Sequence, residues 1–262
     1  MESFKTFTLH WDKMSSSIKY QVLSVRCRAY QKVGKFSSEK RPMDVVDVFD
    51  RQSSFPMVLY KGRVVATMRI INHRGDQCLE HDFAGPKLRA LVSQPCLEIT
   101  RVCVDPDFSR LGLTNLLFQE AAQAIVDLAF QSKKFTVIGS CTEELIPFYQ
   151  KVGCELIGLE YTHPELGNRP HHIFIADTKK LMMGHMNFFV FAAVAAKAAL
   201  RAKQLHGYRK ICPKLNLALL AHYPLLFSLR LRSLIALKIR QWRRLTKALP
   251  HRRQARLALG QS

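Results

Sequence analysis

Apolar and polar residues follow one another along this chain in patterns that predict helices and strands in turn. Between residues 14 and 36, apolar positions recur at helical spacing, which predicts an N-terminal helix. Two runs of β-branched and apolar residues follow, at Phe55–Tyr60 and Arg63–Ile71. They are separated by a Lys-Gly pair, and Gly62 can supply the positive φ that a tight hairpin needs. The pattern therefore predicts a helix and then two antiparallel strands.

Further along the chain, strands and helices continue to alternate. A strand at Leu97–Val104 leads through a loop containing Gly112 into a segment whose apolar residues lie on one helical face. The remaining elements are shorter and are predicted at Phe135–Gly139 (strand), Glu144–Lys151 (helix), Glu155–Thr162 (strand) and His172–Ala176 (strand). This order predicts an α/β (α+β) fold, in which helices flank one mixed β-sheet.

The positive charge is concentrated at the C-terminal end. The formal net charge is +20, and the segment from Thr178 onward carries 18 of the 40 Lys and Arg residues and none of the 20 Asp and Glu residues. Residues 1–177 are nearly neutral, because they hold the other 22 basic residues and all 20 acidic ones. We expect a folded domain over residues 1–180 and a basic, apolar helical extension over residues 181–262.

The extension is expected to bind a negatively charged partner. An acid-free cationic segment attracts an anionic membrane surface, an acidic protein or nucleic acid. Nucleic acid is not expected, because Tyr208 and Trp242 are too few for an aromatic platform that stacks single-stranded bases. An anionic membrane surface and an acidic protein remain as candidate partners.

Two apolar stretches leave the structure of the extension open. Leu181–Leu200 is interrupted by polar residues, and a bilayer requires about 20 clean apolar residues, so a spanning helix is not expected. Leu225–Leu249 mixes Leu, Ile and Trp with Lys and Arg, which is typical of an amphipathic helix at a membrane interface. A helical hairpin that packs on the core with a solvated basic face is an equal alternative.

The seven cysteines indicate a reducing compartment. Their number is odd, they form no Cys-x-x-Cys pair, and the N-terminus has no apolar signal core, which favours the cytoplasm. Each cysteine is expected to be a small buried apolar residue, and no metal site is expected. If the extension binds lipid, the protein would lie peripherally on the inner face of the membrane.

The strand, loop and helix over residues 97–131 resemble the acyl-donor site of the GNAT superfamily of acyltransferases. Free N–H groups at a helix N-terminus bind anions and carbonyl oxygens, and the resemblance assigns donor binding to Arg110, Gly112 and Thr114. The family loop typically reads Gln/Arg-x-x-Gly-x-Gly/Ala, and of these positions only the glycine matches here. A β-branched Thr114 would hinder approach of a pyrophosphate, which favours acyl carrier protein over coenzyme A as donor.

A second element, Phe148 to Gly153, looks like the Tyr-x-Lys-x-Gly segment that follows the fifth strand in this superfamily. There the tyrosine commonly protonates the departing thiolate. Tyr149 suits that task, because a tyrosine with a pKa of about 10 is a neutral hydrogen-bond donor. By itself the segment is more typical of a packing aromatic residue followed by a glycine that ends a helix.

A third set of residues is similar to bacterial long-chain N-acyl amino acid synthases and acyl-homoserine lactone synthases. These enzymes present an Arg with an aromatic residue four positions on, two Asp three apart, an Arg after a glycine hairpin, and Glu-x-x-Arg on the next strand. Here the corresponding residues are Arg26 with Tyr30, Asp47 with Asp50, Arg69, and Glu98 with Arg101. Order and spacing both match, which isolated surface ion pairs would not produce.

The resemblance implies roles for these residues. Glu98 would be the general base acting through water, with Tyr149 as the acid and Arg101 as a further catalytic residue. An ion-pair network, with Tyr30 beside it, would shape the acceptor site; its members would be Arg26, Asp47, Asp50, Arg69 and Arg101. Because Glu98 and Arg101 would face opposite sides of a regular strand, we expect a β-bulge between them. In the splayed strand, Val102, Cys103 and Val104 would bind the donor. Free backbone N–H groups there would stabilise an oxyanion.

The function implied is transfer of a long-chain fatty acyl group from acyl carrier protein to the amino group of an amino acid or similar small amine. Acyl-coenzyme A is the second possible donor, and no bound cofactor is implied. Lactone synthases carry a Trp where this chain has Gly34-Lys35-Phe36, which disfavours an acyl-homoserine lactone synthase. A coenzyme A-dependent acetyltransferase and a non-enzymatic basic protein that binds membranes are further candidate functions.

Overall fold

Seven strands of this chain form one mixed β-sheet in the computed structural model, which describes residues 4–73, 88, 95–162 and 169–182. In chain order they are β1 (Lys5–His10), β2 (Ser53–Tyr60), β3 (Arg63–Asn72), β4 (Leu97–Val104), β5 (Thr136–Cys141), β6 (Glu155–Thr162) and β7 (Pro170–Asp177). Their order across the sheet is β1-β2-β3-β4-β5-β7-β6. Neighbouring strands are antiparallel except for β4 and β5, which are parallel.

The α-helices whose bounds are described are α1 (Ser16–Lys32), α2 (Leu113–Ser132), α3 (Ile146–Lys151) and α4 (Thr178–Met182). Helix α1 begins where the Ser15 hydroxyl accepts a hydrogen bond from the Ile18 N–H, which satisfies a free donor of the first turn. Helix α2 begins after Gly112, whose φ of 73° is easily adopted only by glycine. Among the helices with described bounds, α1 and α2 are the longest, at 17 and 20 residues.

Helices α1 and α2 cover opposite faces of the sheet. Successive strand residues point to opposite faces, and β2 divides its side chains accordingly. Met57 packs in an apolar cluster with Val22 of α1, whereas Val58 packs in a second cluster with Leu117 of α2. All four side chains are fully buried, and burial of such apolar surface stabilises the fold. Strands β3 and β4 therefore lie between two packed layers.

The predicted mixed sheet with flanking helices is confirmed. Strands β4 and β6 have the predicted bounds, and the other predicted strands differ from theirs by one or two residues at one or both ends. The predicted helix over 14–36 is shorter, because α1 ends at Lys32. A short 3₁₀ turn, Glu143–Leu145, precedes α3 where the prediction began an α-helix. Strand β1 was not predicted.

The described core continues into helix α4. Leu181 packs against the apolar cluster beneath α2, and Met182 is buried. Packed residues are thus described up to Met182, and the division into a domain over residues 1–180 and an extension over residues 181–262 remains a prediction. The predicted helical extension beyond Met182 lies outside the described residues. No helix in the described ranges is both long enough and apolar enough to cross a bilayer.

Candidate active site

Strands β4 and β5 pair only at the start of β4 and then separate. Their parallel register runs from Leu97, opposite Val137, to Ile99, opposite Gly139, and no later residue of β4 pairs with β5. The edge of β4 that faces β5 is therefore unpaired from Thr100 onward. This opening is the splay that the sequence resemblance implies.

A β-bulge lies in β4 at the same point. Arg69 of β3 is opposite Thr100, but Thr67 is opposite Cys103, so β4 has one residue more than β3 over this interval. Arg101 has a φ of 56°, a left-handed conformation that is uncommon for a non-glycine residue. The bulge turns Arg101 to the sheet face that carries α1, which is also the face of Thr100. The predicted bulge is thus confirmed.

Five charged residues form a continuous chain of ion pairs on the α1 face. Arg26 of α1 binds Asp50 through both terminal nitrogens, at 2.8 and 3.0 Å. Arg69 binds Asp50 at 3.0 Å and Asp47 at 2.5 Å, and Arg101 binds Asp47 at 3.3 Å. Arg26, Asp50 and Arg69 are each at most 1% exposed. Charged side chains thus connect four parts of the structure: helix α1, strand β3, strand β4 and the segment that precedes β2.

Local backbone structure holds the two aspartates in place. Asp50 opens a 3₁₀ turn and accepts the Asp47 N–H at 3.1 Å, while Asp47 accepts the Phe49 N–H at 3.0 Å. Burial raises the pKa of Asp47, but the charge and hydrogen bond of Arg69 outweigh it and hold the pKa below its usual value. Asp47 is therefore a carboxylate at neutral pH. That the network shapes an acceptor site remains a prediction.

A polar cleft opens where β4 and β5 separate. It has a volume of about 110 Å³, and the predicted site residues that line it are Tyr30, Arg101, Val102 and Tyr149. Polar residues that the sequence analysis did not single out also line it, namely Lys35, Thr100, Ser140, Thr142, Tyr161 and His171. The cleft therefore brings predicted acceptor-site and catalytic residues together at the unpaired edge of β4.

An apolar cavity adjoins the polar cleft. It has a volume of about 90 Å³ and lies between α2, β5, β7 and the α3 segment, and its lining includes Phe118, Ala122, Val137, Phe174 and Met182. Ile99 and Tyr149 line both the cavity and the cleft. An apolar chain can therefore lie on one side of these two residues and a polar reactant on the other.

Tyr149 is held by ring stacking. It is 6% exposed, and its ring stacks on Phe174 with centroids 4.4 Å apart. Burial raises its pKa well above the usual value for tyrosine, so the phenol remains protonated at neutral pH. Among the described residues, its hydroxyl has no hydrogen-bond partner. That the Tyr149 hydroxyl acts as the acid remains a prediction.

Glu98 lies on the same sheet face as the network but does not line the cleft. Its side chain is fully buried, and its Oε2 lies 2.5 Å from the Nε2 of His73, which is 3% exposed. The sequence analysis missed His73, because a single histidine just after a strand forms no motif. Lys134 holds this end of β3, since its Nζ donates to the Asn72 side chain at 2.7 Å and to the His73 carbonyl. The assignment of Glu98 as general base remains a prediction.

The predicted donor residues lie at the end of β4 and the start of α2. Cys103 and Val104 pair with β3, opposite Thr67 and Ala66. In the following loop Arg110 is exposed and has a φ of 65°, and Thr114 is the second residue of α2. Whether these residues bind a donor stays a prediction.

The described cysteines behave as apolar residues. Four of them, Cys27, Cys96, Cys103 and Cys141, are buried, and Cys154 is partly exposed. Burial raises the pKa of Cys103 and of Cys141 to about 11, so both thiols are protonated at neutral pH. Cys78 and Cys212 lie outside the described residues. Within the described ranges, no three potential metal ligands lie close enough to form a site.

Lys35 and His171 are the cleft residues with the most evident chemistry that sequence reasoning missed. Lys35 Nζ lies 3.3 Å from His171 Nε2, although the two residues are 136 positions apart. Burial lowers the pKa of Lys35, and the charges of Arg101 and Arg169 add to that effect. The only sequence signal for Lys35 was that it stands near the position where lactone synthases carry a Trp.

Comparison with known proteins identifies the family. The structure of FeeM, an N-acyl amino acid synthase from uncultured soil microbes, is similar at a TM-score of 0.53 and 14% identity, over 70% of this chain and 94% of FeeM. The coenzyme A-dependent acyl-homoserine lactone synthase BjaI is similar at a TM-score of 0.54 and 15% identity, over 78% of this chain and 100% of BjaI. The acyl-homoserine lactone synthase LasI gives a TM-score of 0.51 and 16% identity, over 71% and 98% of the two chains. Among curated proteins, no sequence matches.

At these identities the structural likeness shows the fold alone, which is the predicted GNAT acyltransferase fold. The sequence itself provides the family, since the model of the family "N-acyl amino acid synthase FeeM" matches residues 21–177. That range spans more than half of the chain and includes every predicted site residue. The chain therefore belongs to the N-acyl amino acid synthase FeeM family and is an acyltransferase.

Proposed function

We propose that this enzyme transfers a long-chain fatty acyl group from an acyl carrier protein thioester to the amino group of an amino acid. The observation that supports this most directly is the meeting of a polar cleft and an apolar cavity at Ile99 and Tyr149. A fatty acyl thioester has an apolar chain on one side of its carbonyl carbon, and the attacking amine is polar. The reacting carbon would lie between the two compartments, beside the Tyr149 hydroxyl.

The reaction is aminolysis of the thioester. The neutral amine of the acceptor attacks the carbonyl carbon, a C–N bond forms, and the resulting oxyanion is stabilised by N–H groups on the unpaired edge of β4. When the C–S bond breaks, Tyr149 gives its proton to the departing thiolate. The proton lost by the amine passes to a base, for which Glu98 is the candidate. No covalent enzyme intermediate is needed, in keeping with the protonated state of Cys103 and Cys141.

The ion-pair network would give the acceptor side of the cleft its shape. Arg101 joins the two features, because it lines the cleft and binds Asp47 of the network. A guanidinium held in an ion-pair network has little freedom to move, and a preorganised site spends less binding energy on ordering its own side chains. Tyr30 lies beside Arg101, with the guanidinium carbon 5.8 Å from its ring centroid.

Acyl carrier protein is the proposed donor because the loop before α2 is poorly suited to a pyrophosphate. Thr114 stands where the superfamily has Gly or Ala, and its side chain is half-buried at the start of the helix. The net charge of +20 would also favour an acidic carrier protein. BjaI, which shares the fold, is a coenzyme A-dependent enzyme, so the donor must be tested directly.

The basic extension beyond residue 182 is proposed to bind an anionic membrane surface, with the acidic carrier protein as the competing partner. Its 80 residues contain no Asp or Glu. Binding of the full-length protein to anionic vesicles should weaken with added salt, because charges are screened over about 8 Å at physiological ionic strength. The contrary result is that the full-length protein fails to bind vesicles and that truncation after Met182 abolishes binding of the carrier protein. That result would show that the extension binds the carrier protein.

The activity test uses one acyl chain on two donors. Long-chain acyl carrier protein and the matching acyl-coenzyme A are each incubated with the enzyme and a pool of amino acids, and N-acyl products are identified by mass spectrometry. We expect N-acyl amino acids, formed with higher kcat/KM from the carrier protein. Equal kcat/KM values would contradict the donor assignment, and absence of product from both donors would contradict the proposed function. S-adenosylmethionine in a parallel pool tests for lactone synthesis.

A further inference from the structure

Lys35 places an ammonium group in the polar cleft without a carboxylate beside it. Its side chain is half-buried and lines the cleft, with Nζ 5.5 Å from the centroid of the Tyr30 ring. No carboxylate in the described part of the chain lies within ion-pair distance of this ammonium, and Glu144, which acts on it electrostatically, is exposed. A half-buried charge without an ion-pair partner is unfavourable, and an anion bound beside it would offset that cost.

His171 lies within hydrogen-bond distance of Lys35 and limits where its side chain can lie. The Nδ1 of His171 lies 2.9 Å from the Arg169 carbonyl oxygen, which assigns the proton to Nδ1 and leaves Nε2 to accept from Lys35. The imidazole is 5% exposed and stacks on Tyr161, with centroids 5.5 Å apart. The Tyr161 hydroxyl is in turn 2.9 Å from the Ser140 hydroxyl. Lys35 is therefore held against a buried, stacked imidazole.

The described lining of the cleft carries positive charge only. Lys35 and Arg101 both line it, and both cations lie against the ring of Tyr30. The lining residues include no Asp and no Glu. Because Arg101 is already paired with Asp47, Lys35 is the cation of this described lining whose charge an anionic ligand group would offset.

The anion that fits this position belongs to the acceptor and not to the donor. The donor phosphate is expected at the start of α2, which covers the other face of the sheet, whereas Lys35 follows α1. The reacting end of an acyl thioester carries no charge. The acceptor is the other molecule that enters the cleft, and an amino acid carries a carboxylate one carbon away from its reactive amine.

We infer that Lys35 binds the carboxylate of the acceptor, with His171 as the residue that positions it, so that this enzyme selects amino acids over amines that lack a carboxylate. The inference rests on the proposed function and names the residues that would recognise the acceptor carboxylate.

The test compares a set of amino acids with the matching set of amino acid carboxamides, using one long-chain acyl donor. In Lys35→Met, kcat/KM for the amino acids should fall by about 10- to 100-fold, the usual worth of a hydrogen bond to a charged group. The carboxamides, which lack the negative charge, should lose less than about threefold, and Lys35→Arg should retain part of the preference. His171→Ala should also lower the ratio of kcat/KM for the amino acids to kcat/KM for the carboxamides.

Lys32→Met provides the matched control, because Lys32 is the exposed last residue of α1 and does not line the cleft. Thermal melting checks that each variant is folded. Equal losses with acids and carboxamides in Lys35→Met, or an unchanged preference for acids, would overturn the inference while the proposed function stands. A wild-type enzyme that acylates neither set would overturn the proposed function itself.

Discussion

Phe174 stacks against Tyr149 with ring centroids 4.4 Å apart and planes inclined by 25°. The Phe174 ring packs directly on Gly139 of β5. A Cβ added at residue 139 would lie 2.4 Å from Cζ of Phe174. Such a distance is far inside van der Waals contact. The position of the Tyr149 hydroxyl thus depends on the absence of a side chain at residue 139.

Gly139→Ala should therefore impair both stability and turnover. The added methyl must displace Phe174, because the Ile99 carbonyl oxygen would lie only 3.1 Å from the new Cβ. Overpacking of this kind costs about 1–3 kcal/mol, and a shifted Tyr149 should lower kcat as well. Urea unfolding and steady-state kinetics measure the two effects. The double variant Gly139→Ala/Phe174→Leu should recover stability but not full turnover; recovery of both would show that the stacked ring is not needed.

Tyr149→Phe should lower kcat by about 10²-fold or more, the scale of a positioned general acid. The melting temperature should change little, because no described residue hydrogen-bonds with the hydroxyl. A thioester of a more acidic thiol needs less protonation of its leaving group, so the variant should lose less with such a donor. The same loss with donors of high and low thiol pKa would show that Tyr149 is not the acid. Tyr20→Phe, at an exposed position on α1, is the control.

Glu98→Gln should lower turnover by about 10²-fold while the fold is retained. The amide oxygen can still accept a hydrogen bond from His73, so the local structure should be preserved. Rates measured against pH would show whether the variant loses the rise in activity that a basic group produces. Wild-type turnover in Glu98→Gln would remove this residue from the mechanism.

The charged network could be predicted from the sequence, but the cleft around it could not. Arg26, Asp47, Asp50, Arg69 and Arg101 keep fixed intervals along neighbouring elements, and such intervals survive in a sequence pattern. Lys35 and His171 meet across 136 residues, just after α1 and at the start of β7, where no local pattern records the contact. Only the order of strands, which inserts β7 between β5 and β6, brings them to one cleft.

Two structural features show why local patterns were only partly sufficient. Strand β1 is an edge strand of six residues that does alternate polar and apolar residues from Thr6 to His10, but the run holds only two apolar positions, Phe7 and Leu9. The bulge at Arg101 was expected only because Glu98 and Arg101 had to share a face. The contact between His73 and Glu98 could be predicted neither from local patterns nor from the family resemblance, because it depends on where β3 ends relative to β4.

Removing one member of the network should cost more stability than removing an exposed charge. Asp47→Asn leaves Arg69 paired with Asp50 alone and removes the carboxylate that Arg101 binds. Breaking a fully buried ion pair costs about 3–5 kcal/mol, and this is an upper limit here because the Asp47 side chain is 26% exposed. The folded pKa of Asp47 lies below its unfolded value of about 3.9, so its contribution is present above that pH. It is lost as the pH falls through the folded pKa.

Urea unfolding at pH values from neutral down to about 3 tests this linkage. The difference in unfolding free energy between wild type and Asp47→Asn should be largest at neutral pH and shrink towards acid. Asp12→Asn, at an exposed position in the turn before α1, should show no such difference. A difference that stays constant with pH would mean that the charge of Asp47 is not what stabilises the fold.

The apolar cavity should set the length of the acyl chain. Ala122 of α2 lines it, and a phenylalanine there would fill space that a chain would otherwise occupy. Each methylene that no longer fits loses about 0.8 kcal/mol of burial, so Ala122→Phe should shift the product ratio towards shorter chains by about fourfold per methylene excluded. Gln123→Phe, one residue along the helix and outside the lining, is the matched control. Products from a mixture of short-, medium- and long-chain acyl thioesters, resolved by mass spectrometry, measure the ratio. An unchanged product distribution in Ala122→Phe, or the same shift in Gln123→Phe, would place the acyl chain elsewhere.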